Sequence, residues 1–169
     1  MRKLLTAALC FLLFLSGCTV STDVNQENGL AAYETYFRMI ESNASFIEES
    51  SYYTVSTETV SMNDGSWRYY VVIDEPETAM YDVALLAVED GYLYDTSLKM
   101  MPSLGIFDSF GCNLIPYQVN AEKGFMKGLV ISGESDSEDI NLKMMVEWKD
   151  KTGKNTMREF LSISLGSGV

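Results

Sequence analysis

The spacing of apolar residues changes period along this chain, and each change predicts a different element. Leu4 to Leu15 is an apolar stretch of 12 residues behind the basic pair Arg2 and Lys3. Thr19 to Asn28 is polar and has no apolar period, which predicts a tether. From Leu30 the apolar positions Leu30, Tyr33, Phe37, Ile40, Ala44 and Ile47 recur at alternating steps of three and four. That spacing places them on one helical face. Ser42 and Asn43 are weak helix formers, so the helix can break there.

After Ser50 the period becomes two. Residues 52–62 are rich in Tyr, Thr and Val, as strands are, and Asn63-Asp64-Gly65-Ser66 is a turn signal. Trp67, Tyr69, Val71 and Ile73 alternate with Arg68, Tyr70, Val72 and Asp74 until Pro76 stops the strand. Met80 to Glu89 is apolar almost throughout, which predicts a strand covered on both faces. Asp90-Gly91 predicts a turn into a short strand over Tyr92 to Asp95. Thr96 to Gln118 is irregular yet apolar, with Pro102, Pro116, Gly105 and Gly111 inside it. So apolar a segment is expected to fold over a sheet or to cross between two sheets.

Asn120 to Gly124 reads as a turn, Phe125 to Ser132 as a strand and Gly133 to Asp139 as an acidic turn. Ile140, Leu142, Met144, Val146 and Trp148 then face one way. Met157, Leu161, Ile163 and Leu165 share a face on the return, which predicts a hairpin with one side buried. Gly166 to Val169 reads as a frayed end. The whole predicts a mainly β fold: an antiparallel β-sandwich of about seven or eight short strands with one helix ahead of it. Residues 29–169 form a single domain in this reading.

The N-terminal stretch is too short for a comfortable membrane span, which needs about 20 apolar residues. A basic start, a short apolar core and small residues after it are the layout of a signal peptide. Within it, Leu15-Ser16-Gly17-Cys18 resembles the lipobox of bacterial lipoproteins. The resemblance implies cleavage after residue 17, a diacylglyceryl group on the Cys18 thiol, and a polar tether over 18–28. It also implies attachment to a bacterial membrane on the side away from the cytoplasm. Two or more acyl chains hold a protein durably, at about 0.8 kcal/mol per buried methylene. The strand count, the stop at Asp74-Glu75-Pro76 and Lys123-Gly124-Phe125 leading into a strand resemble small immunoglobulin-like lipoproteins of bacteria. The Cys…Trp…Cys framework of many immunoglobulin domains is missing.

Charge and composition narrow the chemistry. Of 169 residues, 24 are acidic and 12 basic, a formal net charge of −12. Loss of residues 1–17, with two basic and no acidic side chains, would take this to −14. Such a surface repels nucleic acid, and no nucleic-acid partner is expected. Of the three cysteines, Cys10 leaves with the signal and Cys18 is acylated in this reading, so Cys112 has no disulfide partner and is expected to be buried.

There is no histidine. The Ser-His-Asp and Cys-His nucleophile systems therefore have no base. Gly133-Glu134-Ser135-Asp136-Ser137 lacks the closing glycine of a nucleophile elbow, and no phosphate-binding glycine loop is present. Transition-metal sites want His and Cys, so no metal or other cofactor is expected. Glu134, Asp136, Glu138 and Asp139 crowd one turn and are the candidate ligands for calcium, against a plain solvated turn. Tyr52 and Tyr70 are the candidate outward aromatics for a sugar or a protein, against simple core packing.

The leading expectation is a non-catalytic, lipid-anchored domain that binds a protein or another envelope component. A lipoprotein binding a small ligand or carbohydrate is the alternative, and an enzyme working through paired carboxylates is the third reading.

Overall fold

The computed structural model describes residues 21–108 and 111–166. The expected signal peptide, Cys18, the start of the expected tether, residues 109–110 and the last three residues lie outside the described residues. An α-helix, α1 (Ser21–Ser42), leads into seven strands. They are β1 (Thr54–Ser61), β2 (Trp67–Asp74), β3 (Tyr81–Glu89), β4 (Ser103–Leu104), β5 (Gly128–Ser135), β6 (Ile140–Lys149) and β7 (Thr156–Leu165). One sheet has the order β1-β2-β5 and the other β4-β3-β6-β7, with every named strand pair antiparallel. This is an antiparallel β-sandwich. Constant-type immunoglobulin domains keep the fourth strand beside the fifth; here β4 instead pairs with β3 at Leu85 and Leu86.

The main core lies between the sheets. Tyr69, Val71 and Ile73 of β2 and Leu129 and Ile131 of β5 meet Val83, Leu85 and Ala87 of β3. Ile140, Leu142, Met144, Val146 and Trp148 of β6 complete it with Leu161, Ile163 and Leu165 of β7. The period-two reading of β2, β6 and β7 is therefore the observed packing. Gly133 continues β5 rather than opening a turn because the Tyr69 ring lies over it: a Cβ there would meet the phenol oxygen at 2.3 Å.

A second core forms on the other face of the larger sheet. Tyr33, Phe37 and Ile40 of α1 pack on Leu86 and Val88 of β3 and Met145 of β6. The helix thus packs on its own domain. This explains the unbroken apolar run of β3, which is covered by the opposite sheet on one side and by α1 on the other. It also explains why Met145 is apolar on the otherwise polar face of β6. Ser42 ends the helix, and its hydroxyl donates to the Arg38 carbonyl at 2.8 Å. Ala44 and Ile47, included in the predicted stripe, lie beyond it. Ile47 instead pairs in parallel with Leu161 on the free edge of β7.

Three expectations are corrected. The polar stretch 21–28 is helical, so a flexible tether over 18–28 does not extend past residue 20. An apolar period cannot reveal helical turns that carry few apolar residues, and a helix nucleated downstream propagates into them. Tyr92 to Asp95 forms turns, not a strand: the Tyr94 amide donates to the Glu41 carboxylate at 2.7 Å and its ring packs on Phe37 at 5.6 Å. The strand expected at Phe125 to Ser132 runs from Gly128 to Ser135. Phe125 is held instead in isolated bridges to Asn113 and Asn120.

The segment from Thr96 to Gln118 both folds over a sheet and crosses. Met101 is buried under α1, and its amide donates to the Tyr33 hydroxyl at 2.8 Å. Leu114 enters the main core and pairs with Met80. Gly105 has φ +74°, and a Cβ there would lie 2.2 Å from the Val83 carbonyl oxygen, so the bend after β4 needs glycine.

The β6–β7 turn is closed by one carboxylate. Asp150 accepts from the Thr152 hydroxyl at 2.7 Å, the Thr152 amide at 3.0 Å and the Asn155 amide group at 2.6 Å. The Thr152 hydroxyl and then Asn155 hold its carboxyl at about 2, below the ordinary 3.8. A carboxylate depressed by folding stabilises the fold above its unfolded value and loses that contribution as pH falls through its folded value. The urea midpoint is therefore expected to decline between about pH 4 and pH 2. Asp150→Asn should flatten that part of the profile.

Candidate partner-binding groove

At one end of the sandwich the chain leaves β2 at Asp74 and turns back towards β3 through Glu75, Pro76 and Glu77. Glu75 takes a left-handed φ of +46° directly ahead of proline, which restricts its neighbour. The Thr54 hydroxyl donates to the Glu75 carboxylate at 3.3 Å, and the Glu77 amide donates to the Tyr52 carbonyl at 2.8 Å. These bonds hold the acidic turn against the start of β1.

Facing it is the turn Ile115–Gln118, in which the Gln118 amide donates to the Ile115 carbonyl at 3.1 Å. Pro116 fixes a negative φ at the second position, and Tyr117 has φ +59° at the third. Together these define a type II turn. Glycine or asparagine is the usual residue at that third position. The next residues form a short 3-10 turn, Ala121–Lys123. Asn120 caps its start by accepting from the Lys123 amide at 3.2 Å, and Gly124 closes it in the left-handed conformation. The Met126 amide then donates to the Asn113 carbonyl at 2.9 Å.

Between these two walls lies an open groove of 610 Å³. Ile115, Pro76, Val119 and Met126 supply its apolar surface; Asp74, Glu75, Glu77 and Lys127 supply charge. Tyr117 stands at the lip with its side chain fully in solvent, and Val119 and Met126 are exposed beside it. Three carboxylates and one ammonium around an apolar strip can pair cationic groups while covering methylenes. The volume falls in the range of ligand sites, but the shape is a channel open to solvent.

The residues singled out in the sequence go elsewhere. Tyr52 stacks edge-on against Trp148, ring centroids 5.4 Å apart, and only its carbonyl touches the groove wall. Tyr70 is half-buried on the outer face of the smaller sheet, in register between Glu58 and Ser132. Glu134 is in β5 and pairs with Arg68 across the sheet. Asp136, Glu138 and Asp139 follow in the turn, where Ser137 bonds Ser135 and the Asp139 carbonyl. Among the described residues no three Asp, Glu, Cys or His side chains come together in a group that could hold a metal ion.

Cys112 is half-buried against the main core, and burial pushes its thiol up, away from the nucleophilic thiolate. Sequence reasoning passed over Tyr117, Glu75 and Glu77. The available signal was Pro116-Tyr117, a proline followed by a bulky residue where a turn favours glycine, together with the acids flanking Pro76. Compared with known proteins, the chain matches no family model, no curated protein and no solved structure.

Proposed function

We propose that this protein is a non-catalytic, lipid-anchored module of the bacterial envelope that binds a partner protein through the groove between residues 74–77 and 115–127. The observation that carries the reading is Tyr117. Its left-handed backbone costs on the order of 1–2 kcal/mol in an L-residue, and its fully exposed ring contributes no packing in return. A residue held at a cost to stability, at the mouth of an apolar groove, fits a contact made with something else. The acidic walls choose the occupant: an apolar segment bearing Lys or Arg, complementary to Asp74, Glu75 and Glu77. The lipid anchor rests on Leu15-Ser16-Gly17-Cys18.

A photo-crosslinking amino acid placed at Tyr117 tests the groove on intact envelopes, with the same group at Tyr70 as control. The expected result is one discrete adduct from Tyr117, mapping to a Lys- or Arg-bearing segment and lost in Glu75→Lys/Glu77→Lys. No adduct, or an adduct indifferent to the charge reversal, refutes the reading. With the mapped segment as titrant, Tyr117→Ala is expected to weaken binding by about 10- to 100-fold. In the same protein Tyr117→Gly should raise folding stability by about 0.5–1 kcal/mol, because it relieves the left-handed backbone. Intact mass tests the anchor. The mature chain should begin at Cys18 and carry acyl chains, and Cys18→Ala should leave the membrane fraction.

A further inference from the structure

The four sheet edges of this sandwich are not alike. β4 is only two residues long, and beside it β3 is closed by the crossing segment, with the Val83 amide on the Cys112 carbonyl at 2.8 Å. β7 is covered at its middle by Ile47, whose amide donates to the Phe160 carbonyl and whose carbonyl accepts from the Ser162 amide, both at 2.9 Å. At the end of β5 the Lys99 ammonium donates to the Glu134 carbonyl. β1 has none of these guards. It runs eight residues in unbroken register with β2, and Thr54–Ser61 contains no lysine, proline or glycine. Short strands, lysine, proline and covering loops are what keep sheet edges from pairing with other chains.

The register shows which groups of β1 are free. At the mouth of the β1–β2 hairpin the Met62 amide donates to the Ser66 carbonyl at 2.8 Å. That makes a hydrogen-bonded pair, and bonded and non-bonded pairs alternate from there. Ser56, Glu58 and Val60 therefore turn their amides and carbonyls to β2. Val55, Thr57, Thr59 and Ser61 turn theirs outward, and among the described residues these groups have no partner. Thr57 and Ser61 are exposed, and Val55 and Thr59 half-buried.

Charge chooses the occupant. From Met39 to Trp67 the chain has no Lys or Arg. Glu58, in register with Tyr70 on the outer face of the smaller sheet, is exposed and has no partner among the described residues. Glu48 and Glu49 are exposed in the connection from the edge of β7 to β1. Arg68 of β2 and Arg158 of β7 are already paired, with Glu134 and Glu147. We infer that β1 takes up an extended, Lys- or Arg-bearing segment of a partner protein as a fourth strand of the smaller sheet. Main-chain hydrogen bonds to Val55, Thr57, Thr59 and Ser61 supply the affinity, and a cation opposite Glu58 supplies the choice. A second copy fits poorly, because pairing β1 with β1 brings the two Glu58 side chains and both acidic connections together. The inference is independent of the groove, whose walls are residues 74–77 and 115–127.

Amide NMR on the full chain tests this with a defined probe, a heptapeptide in which lysine alternates with valine. In the free protein the amides of Val55, Thr57, Thr59 and Ser61 should exchange fast with solvent, and those of Ser56, Glu58 and Val60 slowly. The peptide should slow the first set and move their resonances. The same peptide with glutamate for lysine should do neither. Thr57→Pro removes an outward amide that β2 does not use, so β1 stays paired, and affinity should fall at least about 10-fold. Should that variant lose the fold, the peptide N-methylated at alternate amides carries the same test from the other strand, with the same loss expected. Glu58→Lys should weaken binding about 3- to 10-fold. No response at millimolar peptide, an equal response to the glutamate peptide, or shifts confined to Tyr117, Val119 and Met126 overturns the inference. Protection of the outward amides in the free protein that falls on dilution also overturns it, in favour of pairing between copies.

Discussion

Trp148→Ala is expected to lower the free energy of unfolding by about 3–5 kcal/mol, a large share of the ~5–15 kcal/mol that stabilises a domain of this size. Trp148 sits near the end of β6 with 1% of its surface exposed, and Tyr52 and Tyr53 meet it edge-on at 5.4 and 6.0 Å. Removing the indole strips both tyrosines of their partner and leaves a cavity where two layers and the start of β1 converge. The indole N–H is buried without a hydrogen-bond partner. Trp148→Phe deletes that unsatisfied donor along with some volume, so the two effects oppose and the loss should stay within about 1.5 kcal/mol. Urea unfolding followed by circular dichroism separates the variants. The midpoint should fall steeply for alanine and slightly for phenylalanine, with the slope unchanged. Equal losses would mean that the indole nitrogen has little bearing on this site.

What the sequence made legible follows from how each element is stabilised. β2, β6 and β7 bury alternate residues against the opposite sheet, so period-two patterning marks them directly. β3 is buried on both faces, and its apolar density gave that away before the covering helix was seen. The beginning of α1 left no such trace: Ser21 to Asn28 is polar apart from Val24, and an amphipathic stripe reports only turns that carry apolar residues. Tyr92 to Asp95 looked like a strand because its aromatics suit one, yet Glu41 and Phe37 claim Tyr94. That is tertiary structure overriding propensity.

The groove was legible in even smaller part. Its walls come from residues 74–77 and 115–127, which no local pattern joins. They meet because Met80 pairs with Leu114 across the crossing segment. The residue types were visible, but their convergence depends on topology. Tyr52 and Tyr70 attracted attention because they sit in a tyrosine-rich stretch, whereas Tyr117 stands apart from the other aromatics and takes its prominence from a turn that strains it.

Phe37→Ala is expected to release α1 from the sandwich without unfolding the sandwich itself. Phe37 is 1% exposed at the centre of the smaller core and touches Tyr33 at 6.1 Å and Tyr94 at 5.6 Å. Loss of its side chain costs about 3–5 kcal/mol. The helix is held mainly by Tyr33, Phe37 and Ile40, which contribute roughly 1.5–3 kcal/mol each at most, so one deletion removes much of its attachment. The main core lies on the other side of the larger sheet and keeps its contacts.

Hydrogen exchange should accordingly rise first in α1 and in residues 92–101, which are pinned to it, while β2, β5 and β6 stay protected. Leu30→Ala is the control: Leu30 is half exposed, and its loss should cost less than about 1 kcal/mol. If exchange in Phe37→Ala rises equally in every strand, helix and sandwich unfold as one unit. α1 would then be a structural layer of the domain that the strands cannot do without. If it rises only in the helix and its partner segment, then α1 and residues 92–101 can loosen while the groove keeps its shape. The helical layer and the groove would then be energetically separable.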